Sequence, residues 1–305
     1  MTIPYFDAHC DTVTSVLKYG GSLEKNEYQL DLTRLAVYAP AAQFFAVWGG
    51  QYEEKTALLR SELQKSGRGV LCRSVAEAKT AAERGQIAAF LSLEGMEQLD
   101  CSIERLREAH ERDDLIMVNL CWNSDNELCG SAMDGGGGLT DRGRAFVRAA
   151  QDMGVAIDLS HASERTFWDV LEVGTRPVLA SHSNAAALCS DFPRNLTDAQ
   201  FAEIRSRGGL VGLNFYKAFL NDAPEKAGID DLYAHAEHFL ALGGEDVLAM
   251  GSDFDGSTMP HGITGLESVE AIAEAFLRRN LSESLVRRIF FENAASFFKR
   301  FDRAA

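Results

Sequence analysis

Ile3-Pro4-Tyr5-Phe6-Asp7-Ala8-His9-Cys10-Asp11 is a short apolar run that ends in an imidazole and a carboxylate one residue apart. In an extended segment alternate side chains share a side, so His9 and Asp11 point the same way and Cys10 points away. A neutral imidazole and a carboxylate converging from a strand end suit a first-row metal ion. Cys10 reads as packing. The pair gains weight because the pattern recurs along the chain: an apolar run closing on a metal-type side chain.

Eight such runs read as buried parallel strands, near 3–8, 42–48, 87–93, 114–120, 155–159, 177–181, 209–215 and 247–252. Strands covered on both faces are continuously apolar rather than alternating. Between them lie segments of helical period, for example Leu58, Leu59 and Leu63, then Ile103, Leu106 and Ala109, then Phe146, Val147 and Ala150, then Leu232, Ala236, Phe239 and Leu240. Ser102, Thr140, Ser163 and Thr197 stand where helices should start, since their oxygens satisfy free N–H groups. Gly69, Gly85, Gly154, Gly174, Gly208-Gly209 and Gly243-Gly244 stand where helices should end. Two further helices, about 265–279 and 282–299, extend past the eighth strand. This alternation predicts an α/β fold: a single (β/α)8 TIM-type barrel domain over residues 1–305, with extra C-terminal helices. A doubly wound open sheet is the runner-up, but its Gly-rich phosphate turn is missing. Gly135-Gly136-Gly137-Gly138 has no Gly-Lys-Ser/Thr after it and reads as a flexible loop after the fourth run.

The 305 residues are 25% charged and 46% hydrophobic, ample for one large core. A net charge of −15 argues against nucleic acid or an anionic membrane as partner. No signal-peptide pattern and no run near the roughly 20 apolar residues of a membrane span is present, so a cytoplasmic protein is expected. The six cysteines form no Cys-x-x-Cys pair and read as reduced thiols.

In a barrel of this kind the reactive groups sit at the C-terminal ends of the strands. The first run ends in His9 and Asp11, the third in Glu94, the fifth in His161, the sixth in His182 and the eighth in Asp253. Of seven histidines, three fall at these ends, whereas chance would scatter them onto helix faces, as with His110, His235 and His238. Three histidines and three carboxylates exceed what one four-coordinate zinc takes. They suit two Zn2+ or other first-row divalent ions roughly 3.5–4 Å apart, a pair that activates water for hydrolysis while a nearby carboxylate moves the proton.

Taken in order, Asp7-Ala8-His9-Cys10-Asp11-Thr12, Leu93-Glu94-Gly95, Ile157-Asp158-Leu159-Ser160-His161, Ser181-His182-Ser183, Pro193-Arg194-Asn195-Leu196 and Gly251-Ser252-Asp253-Phe254-Asp255-Gly256 resemble the membrane (renal) dipeptidase family of metal-dependent amidohydrolases. The resemblance covers essentially the whole chain, and His-x-Asp in place of His-x-His separates this family from other amidohydrolases. It implies that His9 and Asp11 bind a first zinc, that His161 and His182 bind a second, and that Glu94 bridges them. It implies that Asp253 takes a proton from the bridging water and passes it to the leaving amine. Arg194 falls on the family's substrate-carboxylate arginine, whose planar fork suits a dipeptide C-terminus. Asp255 competes with Asp253 for the catalytic role and reads instead as ordering the loop or a histidine behind the ligands.

One departure stands out. Many members of the family carry a histidine that contacts the substrate carbonyl after the fourth strand, where this chain has Leu120-Cys121-Trp122-Asn123. Trp122 falls on that position; its indole N–H donates one hydrogen bond but carries no full charge. Trp122 is therefore expected as an aromatic wall of the substrate pocket, with Asn123 or the metals stabilising the transition state. The resemblance further implies hydrolysis of short dipeptides, tolerance of a C-terminal D-residue, and homodimers as in many members. The alternatives are hydrolysis of another small amide or lactam, and a metal-binding barrel without catalysis.

Overall fold

The computed structural model describes residues 3–302. Its strands are β1 (Tyr5–Asp7), β2 (Ala41–Val47), β3 (Gly69–Leu71), β4 (Ile87–Glu94), β5 (Leu115–Asn119), β6 (Ala156–Asp158), β7 (Leu179–Ala180), β8 (Leu210–Leu213) and β9 (Leu248–Met250). Every pairing between them is parallel. The order β2-β1-β9-β8-β7-β6-β5-β4 closes on itself because Ala42–Val47 of β2 also pair with Ala88–Leu93 of β4. The result is an eight-stranded parallel barrel ringed by helices, as the alternation predicts.

The sequence reading omits β3. Gly69-Val70-Leu71 is too short for an apolar run, and Val70 is exposed. It pairs with Ile87–Ala89 at the start of β4, and β5 takes over that edge from Leu91 onward, so β3 sits outside the ring. Gly69, expected as a helix end, instead opens this strand. The preceding helix Tyr52–Ser66 is closed by Gly67, whose φ of 67° is left-handed. The four expected start residues do cap: Ser102, Thr140, Ser163 and Thr197 each accept the backbone N–H three residues ahead.

Phe6, Phe44, Phe90, Met117, Ala156, Leu179, Leu210 and Ala249, one from each barrel strand, form a single buried cluster. Phe297, Phe298 and Phe301 join it, and the Phe298 ring lies 4.5 Å from Phe44. The end of the chain thereby plugs the lower mouth of the barrel. That segment, expected as one helix over 282–299, is Glu283–Arg287, a π-helical Arg288–Glu292 and Asn293–Phe298 in succession. Asn293 fastens it by donating to the carbonyls of Glu245 at 2.9 Å and Leu248 at 2.8 Å. The expected 265–279 helix appears as Val269–Arg278 after a short 3-10 turn.

With the lower layers filled by apolar side chains, the inward positions turn polar only towards the C-terminal mouth. Glu94 ends β4, Asn119 ends β5, Asp158 ends β6 and Ser181 follows β7, all buried. The glycine run after β5 is a loop but a pinned one, because the Gly137 carbonyl accepts from Ser163 Oγ at 2.5 Å and Thr166 Oγ1 at 3.0 Å. All six cysteines are buried free thiols, and Cys10 packs in the core as expected. No helix among the described residues is long and apolar enough to cross a membrane.

Candidate active site

Each expected strand end delivers its side chain to one point above the polar layer. His161 Nε2 lies 2.6 Å from Glu94 Oε1, and His182 Nε2 lies 3.6 Å from the same oxygen. On the other side His9 Nε2 is 3.8 Å from Glu94 Oε2 and 3.4 Å from Asp11 Oδ2. Glu94 therefore stands between a His161/His182 pair and a His9/Asp11 pair. Two groups have spacings that suit a shared ion: His9, Glu94 and His182, and His9, Asp11 and Asp253.

The polar layer beneath fixes how the imidazoles face. Ser181 Oγ donates to Asp158 Oδ2, so its oxygen is left to accept the Nδ1–H of His182 at 2.7 Å. Asp158 Oδ1 also accepts from Ser160 Oγ at 2.8 Å and from the Ser181 N–H at 2.9 Å. His161 gives its Nδ1–H to Asn123 Oδ1 at 2.9 Å. Both rings thus turn their Nε2 lone pairs toward Glu94, 3.1 Å from each other. A partner behind the ring that holds the tautomer is the usual support of a metal-binding histidine.

Burial, helped by the Arg194 and His9 charges, holds His161 and His182 well below the ordinary histidine range, so both are neutral at pH 7, the form that can bind a metal. His9 goes the other way. Burial lowers its pKa, but Glu94, Asp11 and Asp253 outweigh that and raise it to about 10. Its ring nitrogens, and Asp11 Oδ1, have no hydrogen-bond partner although they are buried. Lone pairs and carboxylates packed this closely attract positive charge, and divalent cations fit the donor set better than a single proton. Gly256 completes the cradle: a Cβ there would sit 2.0 Å from Asp11 Oδ2 and 2.5 Å from Asp253 Oδ1.

The cradle floors a cavity of about 480 Å3 lined by Asp11, Glu94, Trp122, Asn123, His161, His182, Arg194 and Asp253, among others. His9 lies just beneath it. Arg194 is buried; its Nη2 is 3.0 Å from His182 Nε2, its guanidinium lies over Phe219, and its Nη1 has no partner. Removal from bulk water, reinforced by Asp11, pushes the Asp253 carboxyl up to about 6. Asp255 does order the loop: it accepts from Thr12 Oγ1 at 2.5 Å and from the Gln29 N–H at 2.7 Å, and it touches no histidine. Both acids have left-handed backbones, φ 59° and 66°, which Asp tolerates better than most residues. Asn123 both lines the cavity and orients His161. Trp122 forms a wall, 4.8 Å from Trp48 and 6.3 Å from the His161 ring.

One residue that sequence reasoning missed is Asn214, fully buried one position past β8. Its Nδ2 donates to Asp253 Oδ2 at 3.1 Å and to the His182 carbonyl at 3.3 Å. Asn184 bonds both the N–H and the C=O of Asn214, and its own N–H donates to Asn195 beside Arg194. The signal was available, since the seventh apolar run, read over 209–215, is interrupted near its end by Asn214. It went unread because an amide is not a metal ligand of the expected kind.

A sequence model of the membrane dipeptidase family, peptidase family M19, matches residues 1–305. The chain belongs to this family of metallo-dipeptidases. A Klebsiella pneumoniae relative, an uncharacterized protein in the pqqA 5' region, is 35% identical over 68% of this chain and 80% of its own. An uncharacterized dipeptidase of Schizosaccharomyces pombe is 32% identical over 72% of this chain; the match spans about half, 55%, of that longer protein. A Rhodobacter sphaeroides metallo peptidase, solved with a phosphinate mimic of the dipeptide L-Ala-D-Ala, superposes with a TM-score of 0.88 at 27% identity, covering 99% of this chain and 100% of that one.

Ser181→Ala removes the hydroxyl between Asp158 and His182. Zinc affinity, measured by competition with a chelating dye, is expected to fall about 10- to 100-fold; unchanged affinity would mean that this hydroxyl does not orient the ring.

Proposed function

We propose that the chain is a binuclear zinc dipeptidase acting on short dipeptides, including those with a C-terminal D-residue. The observation that carries this reading is Arg194: a buried guanidinium with an unpartnered Nη1, set 3.0 Å from a cradle histidine. A buried cationic fork with a free N–H calls for an anionic partner, and a C-terminal carboxylate supplies one bidentately. Its place beside the cradle would set a substrate's C-terminal carboxylate close to the cleaved bond, as in a dipeptide.

In this reading His9 and Asp11 hold one ion, His161 and His182 the other, and Glu94 lies between them. Two such ions polarise the scissile carbonyl and lower the pKa of water. The side chains do the rest. Arg194 anchors the substrate carboxylate. Asp253 Oδ2 is held by Asn214, which leaves Oδ1 to take the proton of the attacking water and deliver it to the departing amine. Trp122 and Asn123 shape the pocket around the substrate. The superposed metallo peptidase, bound to an L-Ala-D-Ala mimic, supports the D-residue assignment. The free thiols and the net charge of −15 support a reducing, cytoplasmic setting without polyanionic partners. One barrel domain carries the whole activity.

Zinc-loaded protein assayed with L,L- and L,D-dipeptides against N-acyl amino acids tests the reading. Dipeptide turnover is expected; turnover of the acyl compounds alone would assign it to another amide class. Asp253→Asn is expected to keep its metal, by elemental analysis, while kcat falls at least about 100-fold; metal loss would make Asp253 a ligand instead. Arg194→Ala is expected to raise KM for dipeptides about 10- to 100-fold, the range for a lost charge-assisted hydrogen bond; an unchanged KM would refute the clamp.

A further inference from the structure

Trp48 and Trp122 come from distant parts of the chain, just past β2 and just past β5, yet their rings meet 4.8 Å apart, inclined at 56°. Both are half-buried and both line the cavity, with Met133 beside them. Their backbones are held by dedicated bonds. The Trp48 carbonyl accepts from the buried Lys55 ammonium. The turn that follows is clamped by Gln98, which donates to the Val47 carbonyl at 3.0 Å and accepts from the Gly50 N–H at 2.9 Å. The Trp122 carbonyl accepts from Ser131 Oγ at 2.8 Å. Two indoles carried on backbones held in this way and packed against each other form an apolar face on the cavity wall.

The position of that face gives it a role. From Arg194 the contacts run to His182 at 3.0 Å, from His182 to His161 at 3.1 Å, and from the His161 ring to Trp122 at 6.3 Å. Trp48 follows β2 and Arg194 lies in the loop after β7, strands on opposite sides of the eight-stranded ring, so the Trp48 end of the indole pair lies across the cradle from the arginine. A dipeptide anchored by its carboxylate at Arg194, with its amide over the cradle, extends its first residue toward the indoles, since consecutive Cα atoms are about 3.8 Å apart. We propose that Trp48 and Trp122 form the subsite for the substrate's N-terminal side chain, and that the preferred substrates are dipeptides beginning with an aromatic or large aliphatic residue. This inference rests on the dipeptidase reading. Desolvating a Leu- or Phe-sized side chain against such a face corresponds to a preference of about tenfold or more over glycine.

The test compares L-Phe-L-Ala with Gly-L-Ala. In zinc-loaded wild-type protein the ratio of kcat/KM values is expected to be about ten or more. Trp48→Ala, chosen because Trp48 makes no ring contact with a cradle histidine, is expected to lower that ratio at least about fivefold, and Trp48→Phe to restore most of it. A wild-type ratio near one, or a ratio that Trp48→Ala leaves unchanged, would overturn the proposal. Binding of both dipeptides to zinc-loaded Asp253→Asn protein, followed by tryptophan fluorescence, separates this failure from failure of the dipeptidase reading. Tighter binding of Phe-Ala that Trp48→Ala abolishes, without wild-type turnover, would sustain the subsite and refute dipeptidase activity. Equal binding of the two would refute the subsite.

Discussion

Three histidines and three carboxylates converge on one point at the mouth of a closed barrel, and a buried Asp158–Ser181–His182 chain holds part of that set in place. Desolvating this many lone pairs and negative charges together is costly unless a cation joins them. The surroundings are arranged to keep the cost from being relieved another way. Burial suppresses protonation of His161 and His182, and their second nitrogens are already committed to Ser181 and Asn123. His9 shows the same demand from the opposite side, since its carboxylate neighbours draw positive charge toward it. The direction of its lone pairs, as much as its residue types, suits the cradle to metal cations.

The rest of the mouth follows from that fixed centre. Arg194 lies on the β7 side with a free N–H, and the indole pair lies on the β2–β5 side, so the cavity has a polar end and an apolar end with the cradle between them. Asn214 links these parts. It holds Asp253 and the His182 backbone, and through Asn184 and Asn195 it reaches the loop of Arg194. Asp253, proposed as the proton carrier, and the loop of Arg194, proposed as the substrate anchor, are thus tied together by one buried amide network.

The legible part of this protein was the part with a one-dimensional signature. Continuous apolar runs marked the eight barrel strands, and metal-type residues at the ends of five of those runs marked the candidate site. β3 was invisible because an exposed three-residue edge strand has no run to read. The plug formed by Phe297, Phe298 and Phe301 was legible as a helix but not as a barrel stopper, because closure is a long-range packing event. The same limit hid the Trp48–Trp122 contact, which joins residues 74 positions apart in the sequence. Asn214 was within reach of the rule that found the ligands, but the rule looked for metal donors and passed over the residue that orients one of the acids.

Whether the cradle holds two divalent ions can be read by calorimetric titration of chelator-stripped protein with zinc at pH 7. Saturation at two ions per chain is expected, with protons released as His9 gives up its charge. Saturation at one ion or fewer, with no proton release, would contradict a two-ion cradle.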